Sequence, residues 1–328
     1  MKNTFIQKSR VSGFTLIELM VSLALGSVLV GGIAGMYLET RQNIAQDEQM
    51  ARLQENARYT LELLKREIAL SGFFAGKGQV AEELDAADVA ENCAPYDWAT
   101  ELGAMEFTND MPSSGTITTT GGTFLTCLDS ADIQEGSDLI VLKRTADAPT
   151  LSDGNLMTAD ADTSQWYLRI EDYTNYSWVY LEGAVDSDDA TPGSAVDYWE
   201  YYVKIFYLRE YTDEEDDGIP ALCQTQLVGD GMEEQCLVEG VEDLQFELGV
   251  DYDDDGVAER YLSNPGGGDF DVAVSMRVHI LMRSLNTISN YTNEKSYRLG
   301  SRTIAPLNDG YIRKVFTTTV SLRNIHNS

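Results

Sequence analysis

The sequence predicts an α+β protein: one long N-terminal α-helix, apolar in its first half, joined to a large, mainly antiparallel β head. Three observations carry that reading. Phe14 to Leu38 is an apolar run holding a single charge, Glu18. From Arg41 to about Ser71 the pattern changes to an apolar stripe of helical period. Beyond residue 138 the chain is dominated by strand-length runs of β-branched and aromatic residues.

The opening MKNTFIQKSRVSG is short and basic and has no apolar stretch of its own, so it is not an ordinary secretory signal. The run that follows would make a helix of about 37 Å, enough to cross a hydrocarbon core of about 30 Å. Lys2, Lys8 and Arg10 precede it, and Glu39, Asp47 and Glu48 follow. The positive-inside rule then leaves the N-terminus cytoplasmic and the bulk of the chain outside. Glu18 is the odd residue, because a carboxylate deep in a bilayer costs roughly 2.5 to 3.5 kcal/mol. Something must offset that cost. Gly26, Gly31, Gly32 and Gly35 suit close helix packing or local melting, and ordinary glycine use in membrane helices explains them equally well.

Outside the apolar run, Leu53, Ala57, Leu61, Leu64 and Ile68 recur every three or four residues, with Glu55, Arg58, Glu62, Lys65 and Arg66 between them. This extends the same helix to Ser71 and Gly72, and Gly76 and Gly78 open a loop. Residues 79–136 read mostly as loops with short structured pieces. Strands are expected at Asp138 to Arg144, Trp166 to Ile170, Trp178 to Leu181, Tyr198 to Leu208, Leu244 to Val250, Asp271 to Arg283 and Val315 to Leu322. Val272, Val274, Met276, Val278, Ile280 and Met282 alternate with Ala273, Ser275, Arg277, His279 and Leu281, which predicts one buried strand face with His279 on the other. No internal repeat is visible.

The formal net charge of −31 would become −34 without the first 13 residues. So acidic a surface opposes phosphate binding, and no direct nucleic-acid contact by the head is expected. All four cysteines, Cys93, Cys127, Cys223 and Cys236, follow the apolar run, on the side of a membrane where disulfides persist. Three pairings are possible; nearest neighbours, Cys93 with Cys127 and Cys223 with Cys236, would each close a local loop. A zinc site finds no support, since His279 and His326 are the sole imidazoles and neither sits at ligand spacing to a cysteine. There is no GxSxG, no HExxH and no phosphate-binding Gly-rich loop with a GK pair, so an enzyme is not expected.

At Gly13, Phe14 and Glu18 the sequence resembles the type IV pilin and type II secretion pseudopilin superfamily. Members carry a short basic leader, a Gly before the cut, a Phe after it and a Glu at the fifth mature position. The resemblance implies cleavage after Gly13 by a prepilin peptidase, N-methylation of Phe14, and pairing of Glu18 with the N-terminal ammonium of a neighbouring subunit in a filament. It divides the chain into a cleaved leader (1–13), a transmembrane helix (14–38), its amphipathic extension (39–71) and an extracytoplasmic β-rich head (72–328), the lollipop plan of pilins. The segments at 57–76, 136–144, 237–261, 272–284 and 314–324 look like the PilW family of minor pilins. Lys77 stands where a Cys would be expected in that family, so no disulfide pattern is carried over.

That resemblance implies a minor pilin needed for type IV pilus assembly, priming or capping the pilus in a tip complex and so serving twitching motility. The partners implied are the prepilin peptidase, other minor pilins, the major pilin and the inner-membrane assembly platform. The protein would begin as a single-pass inner-membrane protein with a periplasmic head and end at the cell surface. The alternatives are an adhesive, receptor-binding tip pilin using Tyr198, Trp199, Tyr201, Tyr202, Phe206 and Tyr207, or a minor pseudopilin of a type II secretion system. A buried core strand is the plainer reading of those aromatics.

One loop invites a metal. DYDDDGVAE places Asp251, Asp253 and Asp255 at alternate positions, then Gly256, the Val257 carbonyl and Glu259, which matches the first half of a calcium loop. The twelfth position is Leu262, so it is not an EF-hand. Related pseudopilins bind calcium in their heads, and Ca²⁺ is the cofactor expected, if any. TDEEDDG at Thr212 to Gly218 lacks the alternation and reads as an exposed hairpin loop.

Overall fold

The computed structural model describes residues 13, 15–75, 87, 89, 93–94, 97–101, 103–156, 162, 164–172, 174–181, 185–215 and 217–325. Contacts divide the chain into residues 1–49 and 50–328. Helix α1 spans Leu16–Leu70. In the first unit its apolar side chains stand in the open on every side: Leu16, Met20, Leu25, Val30, Ile33 and Leu38 are all more than half exposed. A helix apolar all round is a membrane span or an assembly core, and this segment is the one candidate span among the described residues, with a mean hydropathy of 2.1.

In the second unit α1 becomes amphipathic, and Leu53, Ala57, Leu64 and Ile68 enter the main core. Gly72 stops the helix. Its φ of 77° is the left-handed turn that favours glycine, and a Cβ there would lie 2.9 Å from that of Ala104.

The strands run in chain order β1 (Met105–Thr108), β2 (Ile117–Thr118), β3 (Phe124–Leu125), β4 (Leu139–Thr145), β5 (Leu151–Ser152), β6 (Asn155–Leu156), β7 (Trp166–Glu171), β8 (Asn175–Tyr180), β9 (Val196–Arg209) and β10 (Ala221–Val228). They continue with β11 (Gly231–Glu239), β12 (Val241–Val250), β13 (Arg260–Leu262), β14 (Ala273–Arg283), β15 (Tyr297–Leu299), β16 (Arg302–Ile304) and β17 (Arg313–Ser321). Two antiparallel ladders dominate, one ordered β1-β4-β9-β10-β11 and the other β13-β12-β14-β17. Both contribute to the core that receives the helix: Ile140, Phe206 and Leu222 from the first, Phe246, Met276 and Val320 from the second.

A buried aspartate joins the ladders. Asp138 donates its N–H to Leu244 O (2.8 Å), and its carboxylate accepts the N–H groups of Phe246 (2.7 Å) and Asp110 (2.9 Å). Burial pushes this carboxyl up to about 8, against the pull of the two N–H donors. Next to it, Gly136 has φ 73° and leaves room for the Arg302 guanidinium, whose Nη1 would be 2.1 Å from a Cβ. Arg302 in turn bridges Asp110 and Asp243, each at 3.0 Å.

Every expected strand is present within a few residues. The β10–β11 hairpin goes beyond the expected set. A two-residue turn at Gly229 and Asp230 closes it, with Gly229 at φ 61°, and the disulfide Cys223–Cys236 staples it. A second disulfide joins Cys93 and Cys127. The one-sided burial expected for β14 is corrected: Met276, Val278, Ile280 and Met282 fill the main core, but His279 and Leu281 on the other face are buried as well. Tyr297 and Leu299 of the β15–β16 hairpin cover Leu281, and the turn residue Gly300 packs on Glu247. Most of the aromatic run in β9 is core, with Tyr198, Tyr201, Phe206 and Tyr207 at 2% exposure or less, while Trp199 and Tyr202 are half-buried.

Candidate functional site

The N-terminal site begins with how α1 starts. Thr15 stands before the first helical residue and Glu18 three positions on, the spacing of a capping box. The Glu18 N–H donates to Thr15 Oγ1 (3.3 Å), and that hydroxyl faces Glu18 Oε2 at 3.4 Å. Ser22 Oγ donates to the Glu18 carbonyl (2.7 Å). The Glu18 carboxylate therefore has one weak hydroxyl contact and no cation among the described residues. Gly13 is described; residues 1–12 and Phe14 lie outside the described residues. A Cβ added to Gly26, Gly31, Gly32 or Gly35 meets nothing within 4 Å, so no contact inside the chain requires glycine there.

The acidic loop follows β12. Asp251, Asp253, Asp255 and Glu259 each bring a carboxylate oxygen within 4.8 Å of the others. Asp251 is buried at the strand end and accepts the N–H groups of Gly256 (2.6 Å) and Asp255 (3.3 Å). Desolvation works against its ionisation, but these amides hold the carboxyl below its ordinary value. Asp253 moves the other way: its hydrogen bond to Glu259 and the nearby Asp255 charge raise it. Asp254 and Gly256 take left-handed φ values of 59° and 84°, which curl the loop inward. Val257 is exposed and gives its N–H to Asp255 Oδ1 (2.8 Å). Leu262 pairs with Leu248 in the sheet, which explains why the twelfth position of this loop is apolar.

The other acidic run behaves differently. Asp217 accepts N–H groups from Ile219 (2.7 Å), Asp213 (2.9 Å) and Thr212 (3.0 Å), which closes the β9–β10 connection as a turn. His279 is engaged across strands, with Nδ1 2.8 Å from Thr317 Oγ1 and Nε2 3.1 Å from Glu247 Oε2. His326 lies outside the described residues.

Two family models match. Residues 205–324 match the model described as Type IV Pilus-assembly protein W, and residues 8–34 match the prokaryotic N-terminal methylation motif. The chain is a PilW-family, type IV pilin-like protein. No curated protein and no solved structure matches it. Its role is in type IV pilus assembly, in a family that is structural rather than catalytic. The motif places this PilW-family protein among membrane-anchored pilins that interact with other pilus components. The longer match runs from the second half of β9 past the end of β17, so it takes in the acidic loop, the β13-β12-β14-β17 ladder and the Cys223–Cys236 hairpin.

Sequence reasoning missed how the helix is fixed to this head. Glu67 lies on the buried stripe of α1 and receives Arg144 Nε (2.9 Å) and Nη2 (3.1 Å) from β4 and Lys204 Nζ (2.9 Å) from β9. Burial opposes its ionisation, but the two cations hold its carboxyl below the ordinary value. Arg144 and Lys204 both lie over the Tyr202 ring, at 4.7 and 5.3 Å. A usable signal was present: Glu67 falls between Leu64 and Ile68, where an unpaired charge would be costly.

Proposed function

We propose that this protein is a minor pilin that primes or caps the pilus as part of a tip complex. The observation carrying this reading is Glu18: a carboxylate without a cationic partner among the described residues, near the start of a helix apolar on all sides. Prepilin peptidase cleaves after Gly13 and the new Phe14 terminus is methylated. Glu18 then meets the terminal ammonium of a neighbouring minor or major pilin at the assembly platform. The head is periplasmic before assembly and at the cell surface after it. A head of this size is better tolerated at a tip than in a repeating shaft, which favours the tip position. Burial of Tyr198, Tyr201, Phe206 and Tyr207 removes the main support for an adhesive surface there. The test is a gene deletion imaged with and without pilus retraction: pili should be lost and return when retraction is blocked. Normal pilus numbers in the deletion strain would refute the priming role.

Asp251, Asp253, Asp255 and Glu259 supply an all-carboxylate donor set that suits a hard cation, and calcium is the ion we assign to it. Mutual repulsion of four carboxylates crowded within 4.8 Å is what such an ion would relieve. Calcium should raise the melting temperature of the purified protein and chelation should lower it. An unchanged melting temperature, with calcium added back as the control, would rule the site out.

A further inference from the structure

Charge is unevenly distributed along this chain. Residues 272–328 contain eight Lys and Arg against Glu294 and Asp309, a net of +6, so residues 1–271 carry −37. Several of these cations are used internally, Arg302 with Asp243 and Arg313 with Asp309 among them. Lys295, Arg298, Lys314 and Arg323 are exposed and in no ion pair among the described residues. Two of the four, Lys314 and Arg323, bracket the outer strand β17.

The backbone of β17 is open along its outer side. Leu322 N–H bonds Val274 O and Ser284 N–H bonds Ile312 O, which fixes the alternation of the β14–β17 ladder. Residues 314, 316, 318 and 320 bond inward to β14, and residues 313, 315, 317, 319 and 321 point their N–H and C=O outward. Tyr297 takes Arg313 O and packs near Val315. No backbone partner meets the outward groups of Thr317, Thr319 and Ser321 among the described residues.

Open edges of this kind are normally blunted by shortness, charge or a bulge. Of the four ends of the two ladders, β1 and β13 are four and three residues long, and β11 carries Glu233 and Glu234 and a bulge. β17 carries charge only at its first two residues, Arg313 and Lys314, and has no bulge. It runs nine residues in unbroken register, and Val315 to Leu322 hold no charge and no proline.

We propose that the β17 edge pairs with the β11 edge of a second copy of this chain. β11 is also nine residues long and is the acidic counterpart, with Glu233, Glu234 and Glu239 exposed. Its hairpin turn sets Val228 opposite Gly231, so Met232, Glu234 and Cys236 point their backbone groups outward. Each edge thus offers three residues of free backbone groups, basic ends on one and acids on the other. Because the two surfaces differ, the contact is head-to-tail. This contact is independent of the tip reading.

The test is sedimentation of the full chain in detergent at about 0.15 M salt, where the screening length is about 8 Å. Wild type should self-associate with rising concentration. Thr319→Pro deletes an outward N–H and no inward bond, so it should melt like wild type yet associate roughly tenfold more weakly or worse. Lys314→Glu with Arg323→Glu should lose self-association, and so should Glu233→Lys with Glu239→Lys. An equimolar mixture of those two double variants should regain it, which a misfolded variant could not do. A wild type that stays monomeric, association of unchanged strength in Thr319→Pro and both charge variants, or a mixture that fails to associate would each overturn the proposal.

Discussion

Each half of α1 holds one carboxylate in apolar surroundings, and the two are treated in opposite ways. Glu67, in the amphipathic half, is buried and satisfied inside the chain by Arg144 and Lys204. Glu18, in the half that is apolar all round, has the Thr15 hydroxyl and no cation among the described residues. The first arrangement locks a helix to its own head. The second leaves a costly group to be completed by something else. The same side chain on the same helix therefore serves folding at one end and assembly at the other, and substitutions should separate the two roles.

The largest effect on stability is expected at Glu67. Glu67→Ala leaves Arg144 and Lys204 facing each other without an anion, which costs about 3 to 5 kcal/mol for breaking one side of a buried pair. Replacing all three residues with apolar ones of similar volume should recover most of that loss. Thermal unfolding of the purified protein checks both, and a Glu67→Ala protein that melts like wild type would show that the cluster does not fix the helix.

The next effect is pH-dependent and comes from Asp138. Its folded value of about 8 lies above its ordinary 3.8, so the folded state holds the proton more tightly than the unfolded chain. Its contribution is thus complete below about pH 4 and lost as pH rises toward 8. Asp243, raised to about 6, acts in the same direction over a narrower window. Glu67 acts in the opposite direction: its carboxyl is lowered, so its contribution is present above its ordinary 4.5 and lost in acid. Asp138→Asn should flatten the fall in stability between about pH 6 and 8, at a general cost of about 1 to 3 kcal/mol for one poorly matched buried N–H. A melting-temperature profile that keeps the wild-type slope in that window would locate the titration elsewhere.

Much of the architecture was legible because it rests on periodicity. The switch from an all-apolar run to a three-and-four stripe near Arg41 gave the helix and its two environments, and β-branched alternation gave β14. What escaped depends on residues far apart in sequence. β10 and β11 read as ALCQTQLV and GMEEQCLVE, where Gln and Glu mask the strand period, and their signal lay in the Gly229–Asp230 turn and the flanking cysteines. The buried far face of β14 depends on a hairpin twenty residues later that folds back over Leu281. For the site, Gly13, Phe14 and Glu18 form a contiguous motif that a sequence displays directly. The partners of Glu67 lie 77 and 137 residues away, so the sequence showed that a partner was needed without showing which.

The smallest effect on stability and the clearest on function is expected at Glu18. Glu18→Ala removes one exposed hydroxyl contact, worth about 1 kcal/mol at most at a helix start. None of the core residues between Leu53 and Ile68 is touched, so the melting temperature of the head should stay within a degree or two of wild type. Processing should also survive, because the carboxylate lies beyond the Gly13–Phe14 junction. Incorporation into pili should nevertheless fail, since the variant cannot pair with a neighbour's terminal ammonium. Leader cleavage measured by mass spectrometry and subunit content measured in sheared pili separate these outcomes. Glu18→Gln sharpens the test: it keeps the size and hydrogen-bonding atoms and removes only the charge. Failure of both variants to enter pili assigns docking to the charge itself. Normal incorporation of Glu18→Gln would mean that a neutral hydrogen bond is enough, and the contrast with Glu67 would then be one of burial rather than of pairing.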